Sequence, residues 1–317
     1  MTDTQNEVFK SPVNKIRLFE HGAPGSQNLK LTRKYYTEDM PDGRVKHIVQ
    51  NITDPDIVPY IPDGIGNSTD RQRIPAVLII PGGAFRRLVY NFEGEDVAKW
   101  LNSMGIAAFV LECRLPSDEH DNAEDVPLID AMRAMRVIRG RAQEFGIDEA
   151  KIGVIDFSAG GFMAALLSTA YESDVYADYK YKDEYDKLSA RPDFAVCSYP
   201  VISIDDCIEA GKRYMSEEQV LERISDSKAK ILHKYNPDKL VRPDMPPVFI
   251  CETDDDRTTL SENSVGFYMA ARKAGVSAEL HIFRTGGHGY GCGDDFAQTG
   301  EWKVLFTKWI KSIGIIS

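Results

Sequence analysis

The chain has 317 residues, of which 43% are hydrophobic and 27% charged, the balance of a soluble globular protein with ample material for a core. Lys plus Arg number 38 against 49 Asp plus Glu, a net charge of −11, so nucleic acid and anionic membranes are excluded as main partners because both need clustered positive charge. The longest apolar stretches, such as Ile74 to Pro81, fall far short of the roughly 20 residues that cross a bilayer.

Residues 1–70 are dense in turn formers, from Pro12 through Gly22, Pro41, Pro55 and Pro62 to Gly66, with one alternating run, Val45 to Ile52, that reads as a strand. They are expected to form an N-terminal extension whose short strands pack on a catalytic domain over 71–317. From Pro75 the texture changes. Ala76 to Ile80 is a continuous apolar run, the signature of a strand covered on both faces, and it ends in Pro81-Gly82-Gly83. Gly94 to Met104 has helical spacing, Ile106 to Leu111 is a second buried strand, and Pro127 to Phe145 carries a helical stripe closed by Gly146. Then come strand Lys151 to Asp156, helix Ala159 to Tyr171 and strand Phe194 to Tyr199. Strand Val248 to Glu252, helix Ser261 to Ala274, strand Ala278 to Phe283 and helix Glu301 to Ile313 complete the series. Such alternation predicts an α/β fold with a mainly parallel sheet and helices on both faces. Two charged stretches, 172–191 and 205–239, break the rhythm and read as insertions over the active-site edge. The first is Tyr-rich (Tyr171, Tyr176, Tyr179, Tyr181, Tyr185), a source of aromatic platforms for sugars or simply a solvated surface segment.

Four local signals carry chemistry. Ile155-Asp156-Phe157-Ser158-Ala159-Gly160-Gly161 lies where a strand meets a helix, the setting of a nucleophile elbow, although Asp156 stands where G-x-S-x-G has its first glycine. By itself Ser158 also suits a helix N-cap. Pro81-Gly82-Gly83-Ala84-Phe85 follows the first buried strand, as an oxyanion loop does, or is a tight turn. Gly286-Gly287-His288-Gly289 puts a histidine on an exposed glycine-rich loop; His21, His47, His120, His233 and His281 have no such setting. Asp254-Asp255-Asp256 ends the strand at Val248 and offers a carboxylate to orient a histidine, a solvated loop, or, with less support, a cation site. Serine, acid and histidine, each after a strand, appear in the chain order of the α/β-hydrolase triad.

On these residues the chain resembles an α/β-hydrolase esterase of the acetyl-esterase, or xylanase B-like acetylxylan esterase, group. The likeness continues through Glu93-Gly94, Cys113-Arg114-Leu115-Pro116, Leu188 to Asp193, Tyr199-Pro200-Val201-Ile202-Ser203 and Glu262-Asn263-Ser264, from about residue 15 to the end. Three positions depart from the group: Asp156 at the elbow glycine, Ala84 at a third loop glycine, and Thr259-Leu260 where Val-Pro usually follows the acid. The resemblance implies the α/β-hydrolase fold and hydrolysis of a short acyl ester, acetyl above all, on a small-molecule alcohol such as a sugar or oligosaccharide. Ser158 would be the nucleophile, His288 the base and Asp256 its orienting acid. Backbone N–H groups of Gly83, Ala84 and Ala159 would meet the oxyanion. Counting back from Glu262-Asn263-Ser264 puts the acid on Asp256, with Asp255 the alternative one residue away.

No cofactor or metal is expected. The five cysteines (Cys113, Cys197, Cys207, Cys251, Cys292) are odd in number, contain no CxxC pair and read as free thiols in a reducing compartment. The polar stretch Met1 to Pro12 lacks an apolar signal core, so a cytoplasmic location is expected. Long-chain lipase activity is disfavoured because neither insertion supplies a long apolar face. A related amide or peptide hydrolase, such as a formamidase or exopeptidase, and a non-catalytic binding protein on the same fold are the alternative readings.

Overall fold

A computed structural model describes residues 9–65, 73–225, 229–293 and 298–317. The polar residues 1–8 and Gly66, with the expected boundary near residue 70, lie outside them. Strands β1 (Ile16–Arg17), β2 (Lys34–Asp39), β3 (Val45–Gln50) and β4 (Asp56–Tyr60) precede β5 (Ile74–Ile80) and β6 (Leu88–Val89). Helix α1 (Asp96–Ser103), β7 (Ala107–Glu112), helices α2 (Val126–Gly140) and α3 (Ala142–Phe145), β8 (Ile147–Phe157), α4 (Ala159–Ala170) and β9 (Ala195–Ser198) follow. Helices α5 (Ile204–Tyr214), α6 (Glu217–Ser225) and α7 (Lys230–Lys234) lead to β10 (Val248–Thr253), α8 (Ser261–Lys273), β11 (Ala278–Phe283) and α9 (Glu301–Ser312).

Eight described strands form one sheet in the order β1-β4-β7-β5-β8-β9-β10-β11. From β7 to β11 all neighbours are parallel, and β4 and β1 extend the sheet antiparallel. The apolar runs of β5, β7 and β8 fill its centre, with Val77, Leu78, Ile79, Phe109, Val110 and Val154 all buried. Part of the N-terminal stretch therefore lies within the main sheet, while β2, β3 and β6 make a second, antiparallel sheet of three.

Side chains alternate along a strand, and β8 uses both faces. Asp156 turns toward α4, where Ala164 N–H reaches it, and Phe157 turns toward Trp302 of α9, ring centroids 6.3 Å apart. Hence α4 and α9 cover opposite faces. Helix α1 packs on α9 through Trp100 against Trp302, and α2 packs on α4. No described helix is long and apolar enough to cross a membrane.

The strand order reverses at β5: β7 lies on one side of it and β8 on the other. A crevice opens beyond the carboxyl ends of strands at such a reversal. The loops that leave β5 and β8 there are Pro81–Phe85 and the Ser158 turn.

The two insertions behave differently, which corrects the expectation that both cover this edge. Residues 172–191 lie along the outside of α2. Three arginines spaced i, i+3, i+6 on that helix hold them: Arg133 pairs with Asp183 and Asp186, Arg136 bonds Tyr176, and Arg139 bonds Ser189 O, Arg191 O and Asp193. Tyr176 and Tyr179 spend their hydroxyls on Asp186 and Gly22 O, leaving Tyr181 the most exposed ring of the group. Residues of 205–239, by contrast, reach the carboxyl edge as α5 and α7.

Candidate active site

Ser158 joins β8 to α4 at φ 59°, ψ −122°, outside the ordinary wells for a residue with a side chain. The turn exists because its surroundings are small. A Cβ on Gly82 would stand 2.3 Å from Phe157 O and 3.0 Å from Ser158 Cβ, so only glycine lets the loop after β5 lie against this turn. The serine hydroxyl makes no capping bond to α4. It lies 2.8 Å from His288 Nε2. Nδ1 of His288 is 2.7 Å from Asp256 Oδ2, which assigns Nδ1–H as the donor and leaves Nε2 free to accept from serine. The three residues come from the ends of β8, β10 and β11.

The two neighbouring carboxylates differ in burial and in partners. Asp255 is exposed and accepts from Gly287 N–H at 2.8 Å. Asp256 is buried, and besides His288 it accepts from Thr258 N at 2.7 Å, Thr259 N at 3.0 Å and Thr259 Oγ1 at 2.9 Å. Burial pushes its carboxyl up, but the hydrogen bond and charge of His288 and the two N–H donors outweigh this and hold it below its ordinary value. Thr259, one of the departures from the family pattern, is thus a ligand of the acid.

The loop after β5 presents successive left-handed residues, Gly83 at φ 138°, Ala84 at 57° and Phe85 at 57°. Ala84 adopts an angle that costs about 1 kcal/mol for a residue with a side chain. Gly82 N–H is already spent on Glu93 Oε2, 3.0 Å away. Ala159, the first residue of α4, lines the crevice beside Ser158.

A cavity of about 80 Å³ opens beside Ser158, lined by Ala84, Phe85, Ala159, Val201, Ile204, Cys207, Ala229, Leu232 and Thr258. Its walls are apolar, and the outer ones belong to α5 and α7, the second insertion.

Asp156 is fully buried beneath the serine turn and faces away from it. Its Oδ1 accepts from Phe157 N at 2.7 Å and its Oδ2 from Ala164 N at 2.9 Å. A Cβ on Gly160 would sit 1.7 Å from Oδ1, so the glycine makes room for this carboxyl. Burial, offset in part by these two N–H donors, raises it well above the usual carboxylate range.

Two further buried residues, Glu93 and Tyr199, border the site. The Tyr199 ring meets the His288 ring edge to face, centroids 5.1 Å apart, and its hydroxyl donates to Glu93 Oε1 at 2.9 Å. Burial raises the Glu93 carboxyl. They are 106 residues apart, and no periodicity or local motif joins them. Both fall in segments that carry the family likeness, Glu93-Gly94 and Tyr199-Pro200, but nothing in the sequence pairs them. None of the five cysteines forms a disulfide, four are buried, and Cys207 lies in the cavity wall beside Ser158.

Comparison with known proteins gives a consistent picture. Residues 65–270 match the BD-FAE family. An acetylxylan esterase of Xylanibacter ruminicola is 30% identical over 240 residues, 75% of this chain and 45% of that protein. Endo-1,4-beta-xylanase B of Butyrivibrio fibrisolvens is 30% identical over 227 residues, 71% of this chain and 34% of that protein. The chain thus spans less than half the length of these curated relatives. A solved acetyl ester-xyloside bifunctional hydrolase from Caldicellulosiruptor lactoaceticus superposes with a TM-score of 0.67 at 37% identity, covering 83% of this chain and 90% of that one. The carboxylesterase Cest-2923 from Lactobacillus plantarum WCFS1 gives a TM-score of 0.67 at 20% identity over 90% of this chain and 99% of its own. With the sheet order and crossovers above, the fold is that of the α/β-hydrolases.

Proposed function

The chain belongs to the BD-FAE family, and from that premise we propose that it is a serine carboxylesterase that removes short acyl groups, acetyl above all, from a carbohydrate alcohol. One observation carries the reading: an unbroken hydrogen-bond chain, Ser158 Oγ to His288 Nε2 at 2.8 Å and His288 Nδ1 to Asp256 at 2.7 Å, opens onto a small apolar cavity. The substrate class is supported by the similarity to proteins named acetylxylan esterase and acetyl ester-xyloside bifunctional hydrolase.

In this reading Ser158 Oγ attacks the ester carbonyl as its proton passes to His288 Nε2. Asp256, kept ionised by its donors, holds Nδ1–H and balances the imidazolium. The negative oxygen of the tetrahedral intermediate is met by the N–H groups of Gly83, Ala84 and Ala159, aided by the N-terminal dipole of α4. When the intermediate collapses, the bond from the carbonyl carbon to the sugar oxygen breaks, and His288 returns its proton to that oxygen. Water then attacks the acyl-Ser158 ester, gives a proton to His288, and leaves as the carboxylic acid while Ser158 regains its proton. About 80 Å³ between Phe85, Val201, Ile204, Cys207 and Leu232 suits an acyl group of few carbons. The free thiols fit a reducing compartment, and we place the protein in the cytoplasm.

A panel of p-nitrophenyl esters and acetylated xylo-oligosaccharides tests the reading, with aminoacyl p-nitroanilides alongside. Rates should peak at acetyl or propionyl and fall by octanoyl. Rates that climb with chain length, or a preference for the anilides, would overturn it.

A further inference from the structure

Glu93 and Tyr199 are buried, polar and touch the site without being part of the Ser-His-Asp chain. Tyr199 follows β9 and sits at φ 39°. Its hydroxyl has two partners. It accepts from Gly291 N–H, in the loop that carries His288, at 3.1 Å, and it donates to Glu93 Oε1 at 2.9 Å. The other oxygen of Glu93 accepts from Gly82 N–H at 3.0 Å. One continuous chain of three hydrogen bonds therefore runs from the loop after β5 to the loop after β11. At the far end, Gly291 O accepts from Trp302 Nε1 at 3.0 Å, which fastens the histidine loop to α9.

Each bond has a defined direction. The N–H groups of Gly82 and Gly291 can only donate, Glu93 accepts at both oxygens, and within the chain the tyrosine hydroxyl is the group that accepts from one side and donates to the other. Phenylalanine would fill the same volume but break the chain in the middle. Because Glu93 occupies Gly82 N–H, that amide is withheld from an oxyanion, and the esterase reading assigns the role to the next amides, Gly83 and Ala84. Because Gly291 is three residues from His288 and the Tyr199 ring packs on the imidazole, the same chain sets the position of the base.

We propose that Glu93 and Tyr199 are positioning residues that fix the distance between the oxyanion loop and the histidine loop, so that the two halves of the catalytic apparatus meet the same tetrahedral carbon. The inference rests on the esterase reading of Ser158, His288 and the loop amides. Its effect belongs to the transition state. Ground-state ester needs only the cavity, whereas the oxyanion and the imidazolium must be met together, and small misplacements of either cost rate.

The test compares Tyr199→Phe, Glu93→Gln and the double variant on p-nitrophenyl acetate, with folding followed by thermal melts and near-ultraviolet circular dichroism. Each single change should lower kcat about 10- to 100-fold while KM stays within about threefold. The double variant should be no worse than about threefold below the poorer single, because one broken link already disconnects the chain. Diethyl p-nitrophenyl phosphate, which reports serine attack without an acyl pocket, should phosphorylate Ser158 more slowly by a similar factor. A folded Tyr199→Phe protein with kcat within twofold of the parent, a loss confined to KM, or single losses that multiply in the double variant would overturn the proposal. If Glu93→Gln does not fold, Tyr199→Phe decides alone, since it removes one oxygen and no bulk. Ser158→Ala in parallel separates the two levels: retained turnover there sinks the esterase reading, while a dead Ser158→Ala with an unimpaired Tyr199→Phe sinks the positioning role alone.

Discussion

At the turn after β8, Ser158 stands at φ 59° and ψ −122°, its hydroxyl bonded to His288, held in place by small neighbours and the buried Asp156 beneath. At the turn after β10, Asp256 gathers two backbone N–H groups, the Thr259 hydroxyl and the histidine, and nothing in its backbone is left-handed. On the proposed reading, the serine is presented by strain, which packing must sustain. The proposed acid, Asp256, is fixed by saturation with donors, which is graded: each donor lost leaves others. Changes at the first turn should therefore act all at once or on stability, and changes at the second should fall in steps.

The largest effect is expected at the serine. Ser158→Ala removes the atom that attacks, and about 10⁴-fold or more of kcat should go with it while the melting temperature hardly moves. Substantial turnover of p-nitrophenyl acetate by the purified variant would end the case for this turn as the nucleophile site.

Next comes the acid turn. Asp256→Asn should cost about 10³- to 10⁴-fold in kcat, because an amide at this position favours the wrong histidine tautomer. Asp255→Asn, at an exposed carboxylate bonded to Gly287 N–H and not to the histidine, should cost tenfold or less. Steady-state kinetics of the two variants give the ratio, and its inversion would transfer the role to Asp255. The same group leaves a trace in acid stability. A carboxyl held below its unfolded value adds stability above that value and loses it as pH falls through the folded one. Asp256→Asn should accordingly flatten the acid side of the stability curve, measured by melts from neutral pH downward.

A finer step is offered by Thr259→Val, which deletes one donor to Asp256 and keeps the backbone N–H. We expect a loss of about 3- to 30-fold in kcat, between the two aspartate variants. A loss as large as that of Asp256→Asn would mean that the acid turn, like the serine turn, fails as a whole.

The comparison also explains what could be read from the sequence. Strands β5, β7, β8 and β10 are runs of Val, Ile, Leu and Phe covered on both sides, and such runs announce themselves. The candidate triad could be read because Ser158 follows β8, Asp256 follows β10 and His288 follows the half-buried β11, in the α/β-hydrolase chain order. Strand β4 was hidden by Pro59, which the fold tolerates where β1 no longer pairs with it. Strand β2, Lys-Tyr-Tyr-Thr-Glu-Asp, is the polar edge of a small sheet and carries no alternation. Glu93 lies in a single wide turn, Asn91–Glu95, ahead of α1 and finds Tyr199 only after the chain has crossed the sheet. Contacts of that range leave no periodic trace. The Tyr-rich insertion misled because composition says nothing about which helix an exposed-looking segment is tied to, and the arginines of α2 decide it.

The smallest effect on catalysis is expected at Asp156. Its carboxyl faces α4, bonded to Phe157 and Ala164 N–H, and not the histidine. Asp156→Gly should leave kcat within about threefold of the parent and the pH–rate profile superimposable, while two buried N–H groups lose their acceptor at a cost of about 1–3 kcal/mol. The sign of the pH dependence is fixed by burial, which raises this carboxyl well above its unfolded value near 4. As pH falls, the folded protein takes up this proton first, so Asp156 contributes more stability at low pH than at high. The deficit of the glycine variant should thus widen from about pH 8 to about pH 5, read as the difference between the two melting temperatures. A constant or shrinking deficit would mean an Asp156 that stays ionised in its buried site. A full-unit displacement of the acidic limb of kcat/KM would mean that the charge beneath the serine turn acts on the histidine after all, and that strain and electrostatics are not separate in this half of the site.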